Sequence, residues 1–199
     1  MKTPALALLA LCAVGPASLC SGAMSAERAD GRLDILSDGQ PILSYQYETL
    51  PAPEGTDPAF ARGGFVHPLR TPAGHVLTRI QPPDHPHHYG IWNPWTHVEF
   101  RGRVTDMWNL GDKQGTVRFA GFERVTSLPG EAGFSAIHEH VIFNADGTET
   151  VALRERQTWM AHPAASGDSI ILDLTIELSC ATDDPVTLLE YRYGGPGRR

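Results

Sequence analysis

The stretch 169-SIILDLTIELS-179 decides the fold class. Leucine or isoleucine occupies every second position, and the positions between them are mostly polar. Such alternation predicts a half-buried β-strand, because successive side chains of a strand point to opposite faces of its sheet. A helix would instead scatter these side chains around its circumference. The apolar series is Ile170, Leu172, Leu174, Ile176 and Leu178.

Weaker runs of the same kind occur along most of the chain. Between two of them, 144-NADG-147 is a short turn sequence that predicts a hairpin. The chain is also broken by 20 Gly and 16 Pro, and no stretch keeps a helical period. We therefore predict an all-β, mainly antiparallel β-sandwich. The other predicted strands are 32–36, 41–48, 75–80, 116–125, 134–143, 149–160 and 186–193.

The first residues have the pattern of an export signal. Lys2 supplies a positive start, and the apolar run 5–14 is too short to span a bilayer. Small residues then precede Ala26 at the positions that a signal peptidase reads. The sequence predicts a signal peptide over residues 1–25, a single β-sandwich domain over 26–199, and a secreted or periplasmic location.

Cysteine and charge exclude other classes. Cys20 is a poor lipoprotein site, since Leu19 precedes it where a small residue is expected. Loss of the signal would leave Cys180 alone, with no internal disulfide. The formal net charge is −7, with no basic run, so we expect no nucleic-acid partner. After the signal no apolar stretch approaches membrane length, so no integral membrane segment is expected.

Three of the nine histidines lie close together in 81-QPPDHPHHYGIWNPW-95. Each proline favours extended geometry in the residue before it, so the segment is predicted to be an extended loop. His85 and His87 would then point to one side and His88 to the other. Imidazoles can exchange protons near pH 7, and the three are predicted to be catalytic residues acting on a sugar.

Aromatic and arginine side chains near this loop suit a carbohydrate ligand. The flat faces of Trp92 and Trp95 can stack on the C–H side of a sugar, although Trp92 fits a sheet core equally well. Arg70 and Arg101 are predicted to orient the substrate, since a guanidinium matches a carboxylate with two parallel hydrogen bonds.

A second histidine pair lies in the predicted strand 134–143. His138 and His140 are two residues apart, so they share one face of that strand. Such a pair commonly presents two imidazoles to one metal ion, with a third ligand from elsewhere. The pair therefore predicts a possible divalent-metal site, with a loop histidine as third ligand.

The run 67-HPLRTPAGHVLTRIQPPDHPHHYGIW-92 resembles the PmoA-like family of mostly secreted bacterial proteins of unassigned activity. The Trp-containing strand at 154–159 and the segment 193-YGG-195 add to the resemblance. It implies a β-sandwich similar to galactose mutarotase-like domains and a setting in carbohydrate utilisation. It implies no catalytic residues. Members of the family usually continue past the YGG segment, so a domain truncated at its C-terminus is an open alternative.

Three hypotheses follow for the function. The first is a carbohydrate-active protein that performs histidine acid/base chemistry on a sugar. The second is a noncatalytic carbohydrate-binding module that uses the same histidine and tryptophan face. The third is a β-sandwich protein that binds a metal ion through His138, His140 and a loop histidine.

Overall fold

The computed structural model describes residues 22–166 and 168–190, and in this part of the chain it forms three antiparallel sheets. The all-β class and the antiparallel sandwich are confirmed. Two short 3-10 helices cover Pro58–Phe60 and Leu110–Asp112. The strands are β1 Met24–Ala29, β2 Arg32–Ser37, β3 Gln40–Gln46, β4 Phe65–Leu69, β5 Val98–Phe100, β6 Arg103–Thr105, β7 Gly115–Leu128, β8 Glu131–Phe143, β9 Glu149–Pro163, β10 Ile170–Cys180 and β11 Val186–Leu188.

The first two sheets pack face to face and enclose the main core. The first sheet has the order β1-β2-β3-β4 and the second the order β10-β9-β8-β7. Between them lie buried side chains such as Leu33 and Tyr45 from the first sheet and Phe134 and Trp159 from the second. Full burial of side chains of this kind contributes about 1.5–3 kcal/mol each, so this core is the main source of stability.

A third, smaller sheet covers the other end of the second sheet. Its order is β11-β5-β6. Val98 and Phe100 of β5 pack there against Val117 of β7 and Ile142 of β8. The segment between β4 and β5 carries most of the predicted site residues, and its Tyr89 packs with Phe65 and Leu110 in a small third core.

The strand that decided the fold class exists, but only part of it is buried. β10 is an edge strand of the second sheet, and it pairs with β9 along its whole length. Ile170 and Leu172 pack against the main core, whereas Leu174, Ile176 and Leu178 are 37–39% exposed. The alternation therefore predicted the strand correctly and overestimated its burial.

One predicted strand is wrong and four short strands were not predicted. Residues 75–80 make only isolated bridges, and Val76 and Leu77 are 53% and 63% exposed. Period two alone does not make a strand when no neighbouring strand pairs with it along its length. The additional strands are β1, β4, β5 and β6, of three to six residues, which are too short or too interrupted to show a period.

The predicted signal peptide lies mostly outside the described residues, as do the YGG segment and the end of the strand predicted over 186–193. β1 begins at Met24, two residues before the predicted cleavage point, and Met24 packs in the main core. Within residues 22–166 and 168–190, no helix is both long and apolar enough to cross a membrane.

Candidate functional site

The histidine loop is built from two consecutive tight turns. The backbone N–H of His85 donates to the carbonyl of Pro82 at 2.9 Å, and that of His88 donates to the carbonyl of His85 at 3.0 Å. Pro83 and Pro86 occupy the second position of these turns, where the fixed φ of proline is favourable. The prediction of an extended loop was therefore wrong.

These turns bring the three imidazole rings together. The rings of His85 and His88 are stacked, with centroids 4.7 Å apart and planes at 22°. The ring of His87 meets that of His88 edge-on at 4.5 Å. His88 does not point away from the other two histidines, because the second turn reverses the alternation that an extended chain would give.

The three histidines line a cleft of about 950 Å³, which we call the loop cleft. It forms where the histidine loop, the segment before β5, the segment after β6 and the segment after β11 meet. Its lining combines imidazoles, indoles, an amide and carboxylates. The lining residues are Asp84, His85, His87, His88, Pro94, Trp95, Thr96, Trp108, Asn109, Leu189 and Glu190.

Asp106 fixes the position of Trp108 in the cleft wall. One carboxylate oxygen of Asp106 accepts from the backbone N–H of Trp108 at 2.7 Å and from that of Asn109 at 2.9 Å. The other oxygen accepts from the side-chain amide of Asn109 at 2.6 Å. This local turn holds the indole 5.9 Å from the ring of His88. Trp95 forms another part of the wall and is 37% exposed.

Two of the cleft histidines, His87 and His88, are set to be neutral near pH 7. Partial burial, and then the neighbouring imidazoles, lower the pKa of His87 and of His88 below the usual value. Backbone hydrogen bonding, and then the contact with His85 at 3.0 Å, lowers the pKa of Asp84. A carboxylate therefore lies beside imidazoles that can accept a proton or a hydrogen bond.

The two predicted arginines and Trp92 lie elsewhere. Arg70 lines a separate depression of about 350 Å³ beside β3 and β10. Arg101 occupies the turn between β5 and β6, where its side chain pairs with Asp184 at 2.6 Å. Trp92 lies behind Trp108, with ring centroids 5.3 Å apart. Of the predicted substrate-binding residues, the structure brings Trp95 to the cleft lining with the three histidines.

A second group of polar side chains lies between the two large sheets, and we call it the buried polar cluster. His138 and His140 share one face of β8 as predicted, but this face is the interior and both side chains are fully buried. The hydroxyl of Tyr45 and Nε2 of His138 are 2.5 Å apart. The cluster consists of Tyr45, Arg62, His138, His140, Glu155 and Gln157.

Glu155 is the hydrogen-bonding centre of this cluster. Its Oε2 lies 2.5 Å from Nε2 of His140, and its Oε1 accepts from the amide of Gln157 at 2.5 Å. The indole N–H of Trp159 in turn donates to Gln157 at 3.0 Å. Burial opposes ionisation of Glu155, but these hydrogen bonds and the nearby imidazoles outweigh it and hold the pKa below its usual value.

His138 and Tyr45, two further members of the cluster, keep their neutral forms. Burial lowers the pKa of His138 to about 4, so its ring carries no charge at neutral pH. Burial also raises the pKa of Tyr45 well above its usual value, so the phenol keeps its proton. The cluster thus holds the ionised carboxylate of Glu155 together with the neutral ring of His138 and the neutral phenol of Tyr45.

The structure does not supply the third ligand of the predicted metal site. Within the described ranges, no group of three His, Cys, Asp or Glu side chains is arranged to hold a metal ion. The loop histidines line the loop cleft, whereas His138 and His140 are enclosed between the sheets. The Nε2 atoms of both enclosed rings also have partners within the protein.

Arg62 joins the two regions and was not singled out by the sequence. Its Cζ lies 3.7 Å above the ring of Trp92, which packs against Trp108 of the loop cleft. The charge of Arg62 also acts to lower the pKa of Tyr45 and of His138. The sequence did offer one indication of the buried polar cluster. On β9, the polar residues Glu155 and Gln157 share the inward face with Trp159, so they interrupt an otherwise apolar face.

Gly64 lets the segment after Arg62 approach His138. Its φ is +76°, and a Cβ there would lie 3.2 Å from Cδ2 of His138. Gly64→Ala should lower the free energy of unfolding by roughly 1–2 kcal/mol from the left-handed backbone alone, and further through this contact. Gly147→Ala is the control, since Gly147 has φ +83° and a Cβ there meets nothing within 4 Å in the structure. Urea unfolding should show the larger loss for Gly64→Ala; equal losses would contradict the contact.

The fold and the cleft define an antiparallel β-sandwich protein with a histidine- and tryptophan-lined cleft in its loops. The chain belongs to a family of unknown function, DUF6807, whose model matches residues 32–199. The matched range includes both the loop cleft and the buried polar cluster. No curated protein matches the chain, and no solved structure matches it.

Proposed function

We propose that this protein is an exported carbohydrate-active protein that holds a saccharide in the loop cleft. The observation that carries the proposal is the meeting of three imidazoles with Trp95 and Trp108 in one cleft of about 950 Å³. A sugar ring has an apolar C–H face for an indole and a rim of hydroxyls for polar groups. The cleft also has a volume typical of small-molecule sites.

The state of the histidines supports chemistry on the bound sugar. Neutral imidazoles of His87 and His88 can accept a proton from a sugar hydroxyl and return it to another oxygen. Asp84 and Glu190 add carboxylates to the lining. A noncatalytic binding module would use the same cleft, so turnover is the property that separates the two forms of the proposal.

Trp108→Ala should weaken saccharide binding about tenfold, which corresponds to the loss of about 1.4 kcal/mol of stacking. Binding of a panel of mono- and oligosaccharides is measured by saturation-transfer NMR, followed by titration calorimetry of those that bind. Leu128→Ala is the control, because Leu128 is 51% exposed and lies outside the cleft. Binding of no saccharide by the wild type, or unchanged binding by Trp108→Ala, would contradict the proposal.

His87→Ala separates catalysis from binding. If His87 is the base, turnover of a bound saccharide should fall by about a hundredfold or more while the dissociation constant changes only a few-fold. His75→Ala is the matched control, since His75 is exposed and lies away from the cleft. Bound saccharides that the wild type leaves unchanged would assign the cleft to binding alone.

A further inference from the structure

The guanidinium of Arg62 is a buried cation whose side-chain nitrogens lack hydrogen-bonding partners in the described part of the chain. It is 3% exposed, and none of its three side-chain nitrogens has a partner among the residues that the structure describes. Two backbone hydrogen bonds with Leu50, of 2.8 and 3.0 Å, fix its position. Burial lowers its pKa to about 9, so the guanidinium is still charged at neutral pH. A buried, unpaired charge is strongly unfavourable unless something compensates it.

Within residues 22–166 and 168–190, no group compensates this charge by hydrogen bonding to the guanidinium. Trp92 covers one face of the guanidinium, but an indole ring accepts no hydrogen bonds from the N–H edge. The carboxylate oxygens of Glu155 bond to His140 and Gln157, and neither accepts a hydrogen bond from the guanidinium of Arg62. The negative charge of Glu155 favours the charged form of Arg62, but burial is the larger effect and lowers the pKa of the guanidinium.

His138 presents another buried polar atom without a partner in the same interior. Its Nε2 is bonded to the hydroxyl of Tyr45, while its Nδ1 has no partner among the described residues. The phenol keeps its proton, and in the tautomer on which the proposal rests it donates that proton to Nε2, so that the neutral ring carries its own N–H at Nδ1. Arg62 is near enough to lower the pKa of His138, and Gly64, two residues further on, packs against the ring.

We propose that Arg62 and His138 bind a small monovalent anion inside the sandwich. The anion would accept from the guanidinium edge and from Nδ1–H of His138, and it would neutralise the buried cation. Because Arg62 is 3% exposed and His138 is fully buried, the occupant proposed is a small ion such as chloride or formate and not a sugar. Trp92 packs against both Arg62 and Trp108, so an anion that holds Arg62 in place would also help to fix Trp108 in the wall of the loop cleft.

The test is the anion dependence of thermal unfolding of the full chain. Chloride replaces gluconate stepwise at constant ionic strength and pH 7.5, with no saccharide present. The midpoint should rise with chloride, by roughly 5–10 °C at about a hundred times the dissociation constant. Arg62→Met should abolish the rise. Arg118→Met is the control and should retain it, since Arg118 is a half-exposed arginine paired with Glu139 and Glu149.

Two results would overturn the proposal. One is a wild-type midpoint that responds to none of chloride, bromide or formate, which would mean that only internal water meets Arg62. The other is an equal chloride response in Arg62→Met. If that variant does not fold, crystals of the wild type soaked in bromide decide instead: an anomalous peak against the Arg62 guanidinium supports the site, and its absence overturns it. None of these measurements depends on saccharide binding, so the anion site and the proposed function fail separately.

Discussion

Glu155→Ala should lower the free energy of unfolding by about 3–5 kcal/mol, the usual cost of removing one partner of a buried ion pair or hydrogen-bonded charge. The variant strips Nε2 of His140 and the amide of Gln157 of their acceptor, and both side chains are buried. It also removes a buried negative charge whose field favours the charged form of Arg62. The measurement is urea unfolding at pH 7.5.

Glu149→Ala is the matched control for this prediction. Glu149 lies on the same strand and pairs with Arg118 at 2.7 Å, but its side chain is 47% exposed. A solvent-exposed ion pair contributes about 0–1 kcal/mol, so the control should lose less than about 1 kcal/mol. If Glu155→Ala lost as little stability as Glu149→Ala, this would contradict the conclusion that the carboxylate of Glu155 is enclosed and hydrogen-bonded to His140 and Gln157.

Acidification should destabilise the protein by about 3 kcal/mol through His138 alone as the pH falls from 6.5 to 4. The pKa of His138 is lowered from 6.5 to about 4 in the folded protein. Below pH 6.5 the unfolded chain therefore gains a proton that the folded chain does not, and stability falls until pH 4. From about one pH unit above 6.5 upward, this group contributes almost no pH dependence.

The variant His138→Gln isolates this effect, because it keeps a polar group for Tyr45 and does not titrate. Its stability should fall less steeply between pH 6.5 and 4, by up to about 1.4 kcal/mol per pH unit relative to the wild type. Exposed His75→Gln should keep the wild-type slope. Glu155 has a lowered pKa, so its own contribution is lost only below about pH 4.5, beneath most of this window. If the unfolding free energy of His138→Gln and of the wild type changed equally with pH, this would contradict the conclusion that His138 is buried and neutral.

The long strands could be predicted from the sequence because each buries one face along many residues. β9 keeps a period of two over most of its length, β8 does so only over residues 136–140, and the alternation at 169–179 identified β10. Burial was less predictable, since it depends on which part of the sheet a second sheet covers. Leu174 and Leu178 alternate as regularly as Leu172, yet they lie beyond the covered part.

The candidate site was predictable in its residue types and less so in its geometry. Three histidines within four positions identified the loop, but a proline favours both extended chain and the second position of a turn. Local sequence does not choose between these, so the stacking of His85 on His88 was not foreseen. Arg62 offered no local pattern at all, because its importance comes from long-range burial against Trp92.

The most direct test of the proposed carbohydrate site follows the imidazole resonances of the cleft while a saccharide is added. The ¹H–¹⁵N correlations of the histidine rings are recorded with the tightest-binding member of the saccharide panel at pH 7.5. The proposal predicts saturable shifts for His85, His87 and His88, and none for the exposed His75. Shifts confined to histidines outside the loop cleft, or no shift with any member of the panel, would contradict it.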